Sequence, residues 1–286
     1  GGRLNLATGS SIASNIEVTG AATTIGGEGT STNSMLFNAG TRISVDPVTT
    51  SALTVKDLDL SGQPSVVFEN QPSPAQNPIK ILTYTGTLTS PNGIATDLQI
   101  VGVANYRTPV VTDTAGVVTV SLGSAATVWN GTGGGEWDLK TSTRWGDGTG
   151  VFAWGDAVTF DDTGVTTGIT ITGELQPSSI VVNSSTNNYT ITGSAGNFIS
   201  GTTGLLKSGT STLTMNGPNT YTGGTVISQG TVQVRSAGAL GTGPVTLNDA
   251  ATGANNTALY IDSSRVNFVV PVIVSNNGTG TSTLGT

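Results

Sequence analysis

The sequence predicts an all-β fold, a right-handed parallel β-helix (solenoid) with a Trp/Gly-rich excursion. Three observations predict it: the composition, a series of short β-branched runs, and a spacing of those runs near 20 residues. Charged residues make up 9% of the 286 positions, against roughly 25% in ordinary globular proteins. The chain holds 41 glycines, and between them Val, Ile and Thr abound, residues that favour a pleated backbone. A disordered chain carries the opposite bias, with high net charge and few β-branched residues.

The runs follow one another along the chain. Ile16-Glu17-Val18, Leu53-Thr54-Val55, Ser65 to Phe68 and Ile79 to Leu82 come first. Val117 to Val120, Ile169 to Ile171, Ser211 to Met215 and Thr231 to Val234 come after them. Each is short and bounded by Gly, Asn, Ser or Pro, as strands are. Many alternate apolar with Thr, Gln or Lys, so one side faces a core and the other faces water. Helical periodicity is almost absent.

Spacing decides between a sandwich and a solenoid. Leu205, Val226 and Val245 fall about 20 residues apart, as do Leu213 and Val232. Such a period signals coils stacked on their neighbours, and about fourteen would fit in this chain. An antiparallel sandwich would want Asn-Gly hairpin turns at most connections. Asn92-Gly93 reads as one, but most connections are longer.

Composition divides the chain into three. Residues 1–127 read as coils interrupted by a Pro-rich loop, Gln71-Pro72-Ser73-Pro74 to Pro78. Residues 128–163 hold all four tryptophans, Trp129, Trp137, Trp145 and Trp154, among glycines. Residues 164–286 return to plain coils. The tryptophans suit either a contact face, since Trp offers rigid area at low entropic cost, or a satellite core holding the excursion to the rod. The face is the candidate interaction surface, with stacking on sugar rings as its chemistry.

Residue types exclude several chemistries. With no His and no Cys, there is no Ser-His-Asp or Cys-His system and no His- or Cys-held zinc. No phosphate-cradling Gly-rich loop with Lys-Ser/Thr occurs. The net charge is −7, and the ten cations, from Arg3 to Arg265, are dispersed, so no basic stripe awaits nucleic acid. No apolar stretch approaches the roughly 20 residues of a membrane helix. Asp57 with Asp59, and Asp156 with Asp161 and Asp162, are the carboxylate groups to weigh for glycoside chemistry. Adjacent strand residues point to opposite faces, and the scattered cations supply no basic partner, so both groups read as solvated or turn-forming. Asp156, Asp161 and Asp162 are also where a calcium ion would gather if any does; no cofactor is expected.

At Gly204 to Leu247 the sequence runs Gly-Leu-Leu-Lys-Ser-Gly-Thr-Ser-Thr-Leu-Thr-Met-Asn-Gly-Pro-Asn-Thr-Tyr-Thr-Gly-Gly-Thr, then Gly230-Thr-Val-Gln-Val, then Gly238 to Leu247. This closely resembles the autotransporter-associated β-strand repeat, also called the passenger-associated transport repeat. Lys207, Asn219, Tyr221, Gly223, Gly224 and Gly230 stand where that pattern wants them, with Ser211 and Val232 as mild departures. Looser likeness over Ile79 to Thr163 points to the long members found in Planctomycetes and Verrucomicrobia. The resemblance implies a β-helix, export to the cell surface and no catalytic residue in the repeat.

The expected function is an extracellular structural or adhesive rod, passenger-like and not an enzyme, with head-to-tail assembly into filaments or a cell-surface stalk as its expected form. The alternative is a carbohydrate-binding or carbohydrate-active β-helix. Expected partners are further copies, head to tail or lateral, and surface or matrix polysaccharide. The chain opens at Gly1, so an export signal is expected elsewhere. Strand-like ends at Arg3 to Leu6 and Ser282 to Thr286, without polar caps, suggest continuation or head-to-tail stacking.

Overall fold

The computed structural model describes residues 2–49, 52–262 and 267–286. Arg265, one of the dispersed cations, lies outside the described residues. The chain forms two compact units, Gly1–Gly123 and Ser124–Thr286. Both are parallel β-solenoids of short strands. The helical pieces among the described residues are a 3₁₀ turn at Pro74–Gln76 and a single α-turn at Ile94–Asp97.

The second unit is the more regular. Two seven-stranded parallel sheets carry it, joined by corners, with a two-stranded sheet between Glu174–Leu175 and Phe198–Ile199. Alternation within each strand assigns the faces. In Thr212–Asn216 the residues Leu213 and Met215 are buried, while Thr212, Thr214 and Asn216 are half-exposed. Stacking then turns single strands into columns. One inward column runs Val158, Ile180, Leu205, Thr225, Val245 and Val272. From the facing sheet another runs Tyr189, Leu213, Val232, Leu259 and Leu284. Each coil buries an apolar face that it could not bury alone, which is why the strands are stable only as a stack.

Coil length varies with the turns. Leu205 lies beside Thr225 and Thr225 beside Val245, steps of 20 residues. Ser65 lies beside Gln99, a step of 34, and Ala126 beside Ala157, a step of 31. Long turns therefore consume chain. Among the described residues the longest parallel stack of the first unit has five strands and those of the second have seven, fewer than a uniform period implies.

In the first unit, sheets of five, six and four strands stack around the columns Ile25, Ile43, Val66, Ile100 and Ile16, Met35, Leu58, Leu88. One feature departs from the all-parallel expectation. Arg107–Thr114 and Val117–Gly123 form an antiparallel hairpin, and the second of them pairs antiparallel with Ile79–Tyr84. Its turn is Ala115-Gly116, both at positive φ, the geometry of a two-residue hairpin. The turn expected at Asn92-Gly93 is not a hairpin. Gly93 opens the α-turn, and the Asn92 amide and backbone N–H both donate to Asp97.

Candidate functional site

Lys207 is the third residue of the strand Leu205–Ser208, so alternation turns it inward. Val182 precedes it in the column and Ile227 follows, and none of its surface is exposed. A lone buried ammonium would cost several kcal/mol. Here Nζ donates to the carbonyls of Gly209 at 2.6 Å, Ser208 at 2.7 Å and Gln229 at 3.4 Å. Two acceptors belong to its own corner and the third to the next coil, so the ammonium clips two coils together. Burial pulls its pKa down to about 8, opposed by the field of Asp162.

Asn219 does the same work at another corner. Its Oδ1 accepts the N–H of Ile199 at 2.9 Å and its Nδ2 donates to the carbonyl of Ala239 at 2.7 Å. Those residues lie 20 positions on either side, so one amide joins three coils. The backbone around it runs in the same ladder, with Thr220 and Thr222 donating to Ile199 and Gly201, and Thr242 donating to Tyr221. Tyr221 is fully buried, and its hydroxyl meets the Thr225 hydroxyl at 2.8 Å. That bond satisfies a threonine set between Leu205 and Val245 in an apolar column. Burial pushes the Tyr221 phenol well above its usual pKa.

The glycines make room for these contacts. A Cβ on Gly223 would stand 2.5 Å from the Thr203 carbonyl oxygen, and one on Gly224 would stand 2.7 Å from that of Pro244. Gly230 sits at φ +78, and a Cβ there would meet the Gly209 oxygen at 2.4 Å and Lys207 Nζ at 2.9 Å. Gly230→Ala should therefore lower the stability of the second unit by about 2–4 kcal/mol, through left-handed strain and displacement of the ammonium. The urea midpoint measures this, and an unchanged midpoint would detach Gly230 from the clip.

Residues 205–234 match the family Passenger-associated-transport-repeat. All or part of both strands that flank the clip lie in the matched segment, as do Asn219 and Tyr221. No curated protein and no solved structure matches the chain. The match ties this part of the solenoid to autotransporter passengers, and it says nothing of the source organism. In the transport repeat, then, Lys207 and Asn219 are coil-to-coil connectors, and Tyr221 satisfies a buried threonine.

The tryptophans occupy the first coil of the second unit. Trp129, Trp137 and Trp145 have no exposed surface and Trp154 is 6% exposed. Trp145 lies 5.1 Å from Trp129, 5.5 Å from Trp137 and 5.6 Å from Phe160, ring centre to ring centre, all edge-on. Phe152 packs on Trp137 at 5.6 Å, and Phe160 passes the contact on to Tyr189 at 5.5 Å. Trp129 donates its N–H to Thr166 and Trp154 to Glu174. The rings thus form a core and not an outward contact face. The physical reason is the coil itself: Ala126–Val128 and Glu136–Trp137 are short strands with Gly-rich turns, so large rings supply the buried volume that aliphatic residues supply elsewhere. The Trp/Gly-rich segment is correspondingly part of the stack, its strands Glu136–Trp137 and Ala157–Asp161 pairing in parallel with Gly168–Ile171 and Ser179–Asn183.

The acidic residues are separately engaged. Asp156 is buried and accepts the N–H groups of Ala125 at 2.7 Å and Ala153 at 2.9 Å. Asp161 accepts from the backbone and hydroxyl of Thr163. Asp162 reaches into the next coil, accepting the Ser184 hydroxyl, the backbone N–H groups of Ser185, Thr186 and Asn187, and the Thr186 hydroxyl. Asp57 sits at a corner and accepts the Thr87 N–H at 2.8 Å, while Asp59 accepts that of Ser61. Among the described residues no three His, Cys, Asp or Glu converge as a metal would need.

In the sequence Asp162 reads as a solvated or turn-forming carboxylate, or as one of a calcium-gathering group, and its role as a connector needed the register of Asp161 on Asn183. The Ser184 hydroxyl and the N–H groups of Thr186 and Ser185 hold its carboxyl far below the usual range. The folded pKa lies below the unfolded one, so its contribution is present above pH ~4 and is lost as pH falls further. Melting temperature should drop between pH 4 and pH 2 more steeply in the wild type than in Asp162→Asn. Parallel curves would show that the bonds to residues 184–187 do not stabilise the fold.

Proposed function

We propose that this chain is an exported, non-enzymatic structural rod of the autotransporter-passenger kind, displayed at the cell surface as an adhesive stalk or filament. One observation carries the reading: Lys207, Asn219 and Tyr221, the chemistry-bearing residues of the transport repeat, spend their polar atoms on bonds inside the stack, Lys207 and Asn219 reaching neighbouring coils and Tyr221 meeting Thr225. A repeat built this way adds length and resists unzipping. The absence of His and Cys from the sequence and the wide dispersal of its cations support a non-catalytic role. The indoles that would have stacked on sugar rings are used in the core. That leaves the carbohydrate-binding alternative without the residues that suggested it.

Protease treatment of intact source cells, followed by electron microscopy of the released material, tests the proposal. Surface release of rods or fibres is the expected result. Retention of the chain inside protected cells would overturn it.

A further inference from the structure

The outer side of one sheet of the second unit carries a column unlike the others. Register places Val128 beside Thr159, Thr159 beside Val181, and Val181 beside Leu206. Leu206 then lies beside Val226, Val226 beside Thr246, and Thr246 beside Ile273. Ile273 is 46% exposed and the other six are partly exposed. No residue of this column is charged. Ala126, Ala157 and Ser179 flank it on one side and Asp161, Asn183 and Ser208 on the other, with Asp161 the one charge among them. Outward apolar residues elsewhere, such as Leu36, Val67 with Val101, and Tyr260, are isolated or run for only two rungs. The facing sheet of the same unit shows Glu136, Thr170, Thr192 and Asn216. The first unit shows Arg3, Thr24, Arg42, Ser65 and Gln99.

We infer that this column is a lateral docking face for a second copy of the chain, the two solenoids lying side by side and antiparallel. The order of residues carries the inference. Read from Leu206 outward, the column is the same in both directions: valine, threonine, then an aliphatic residue. A two-fold axis through Leu206 therefore sets Val181 against the partner copy's counterpart of Val226, Thr159 against that of Thr246, and Val128 against that of Ile273. Such self-complementarity is what an isologous interface requires. Charge agrees: in a chain of net charge −7, copies approach most cheaply through a face whose flanks carry one carboxylate, Asp161, and the antiparallel arrangement keeps the two Asp161 side chains several rungs apart.

Size sets the strength. Seven strands at about 4.8 Å span about 30 Å, and strands of three to five residues are about 10–17 Å long, a footprint of about 300–500 Å². A standard interface buries about 800 Å² per partner, so the pair falls in the small, transient class and is weak and reversible. The inference names a partner for the scaffold proposed above. It is tested on purified chain and so stands or falls independently of export.

The chain has no cysteine, which makes cross-linking clean. Under mild oxidation at 100 µM or so, Leu206→Cys should give a disulfide dimer at least ten times faster than Thr170→Cys on the facing sheet. Val128→Cys and Ile273→Cys should each cross-link poorly alone and efficiently when mixed. Sedimentation velocity should show concentration-dependent association in the wild type and its loss in Leu206→Lys, with circular dichroism unchanged. Equal rates at positions 206 and 170, self-linking of Val128→Cys, or association undisturbed by Leu206→Lys would each overturn the assignment.

Discussion

Lys207→Ala should destabilise the second unit by about 3–5 kcal/mol, since it removes a fully buried side chain and leaves the carbonyls of Ser208, Gly209 and Gln229 without their donor. Lys207→Met separates the two causes. It keeps most of the volume and loses only the hydrogen bonds, so its cost should be about 2 kcal/mol. Burying an ammonium is itself expensive, and replacing some buried charges with apolar residues is neutral or stabilising. A Met variant more stable than the wild type would mean that desolvation outweighs the clip.

The same lysine predicts a dependence on pH. Its folded pKa of about 8 lies below the unfolded value near 10.4. Between those values the unfolded chain binds the extra proton, so stability rises with pH across the window. The buried phenols act in the other direction. Burial raises Tyr189 and Tyr221, and their contribution is complete below about pH 10 and lost above it. Wild-type stability should therefore climb from pH 8, peak near pH 10 and fall. Lys207→Met should keep the fall and lose the climb. Isothermal denaturation across that range reads both.

Trp145→Ala should cost the second unit about 3–5 kcal/mol. Trp145 touches Trp129, Trp137, Phe152 and Phe160, so its loss opens a cavity shared by four rings. The near-ultraviolet circular dichroism of the cluster should collapse with it, because edge-on packing fixes the rings' asymmetry. Trp145→Phe, which keeps an aromatic at the centre, should cost less than half as much. A destabilisation below about 1 kcal/mol for the alanine variant would mean that the rings do not share one core.

The solenoid was readable because two signals agreed, one from spacing and one from alternation. Leu205, Val226 and Val245 gave a step of about 20 residues, although register sets Thr225, and not the outward Val226, between Leu205 and Val245; alternation within Thr212–Asn216 gave the faces. Where turns lengthen, the step is lost, and the coils through Ser65 to Gln99 and Ala126 to Ala157 could not be counted from sequence. The hairpin at Ala115-Gly116 was hidden because alanine at positive φ carries no sequence signature. Lys207 and Asn219 were visible as motif residues, but what they touch depends on residues 20 or more positions away. The tryptophans were ambiguous for a plain reason: a ring that stacks on a ligand and a ring that stacks on another ring have the same composition.

If Lys207 and Asn219 staple the coils of the transport repeat, that repeat should be the slowest part of the second unit to open. Native-state hydrogen exchange measures this directly, residue by residue. Amides of Leu205–Ser208, Thr212–Asn216, Thr225–Ile227 and Gly230–Val234 should exchange most slowly in the second unit, and Lys207→Met should quicken all four together. If they exchange as fast as the Gly-rich turns at 131–135 and 146–150, the polar residues of the repeat are not holding its coils.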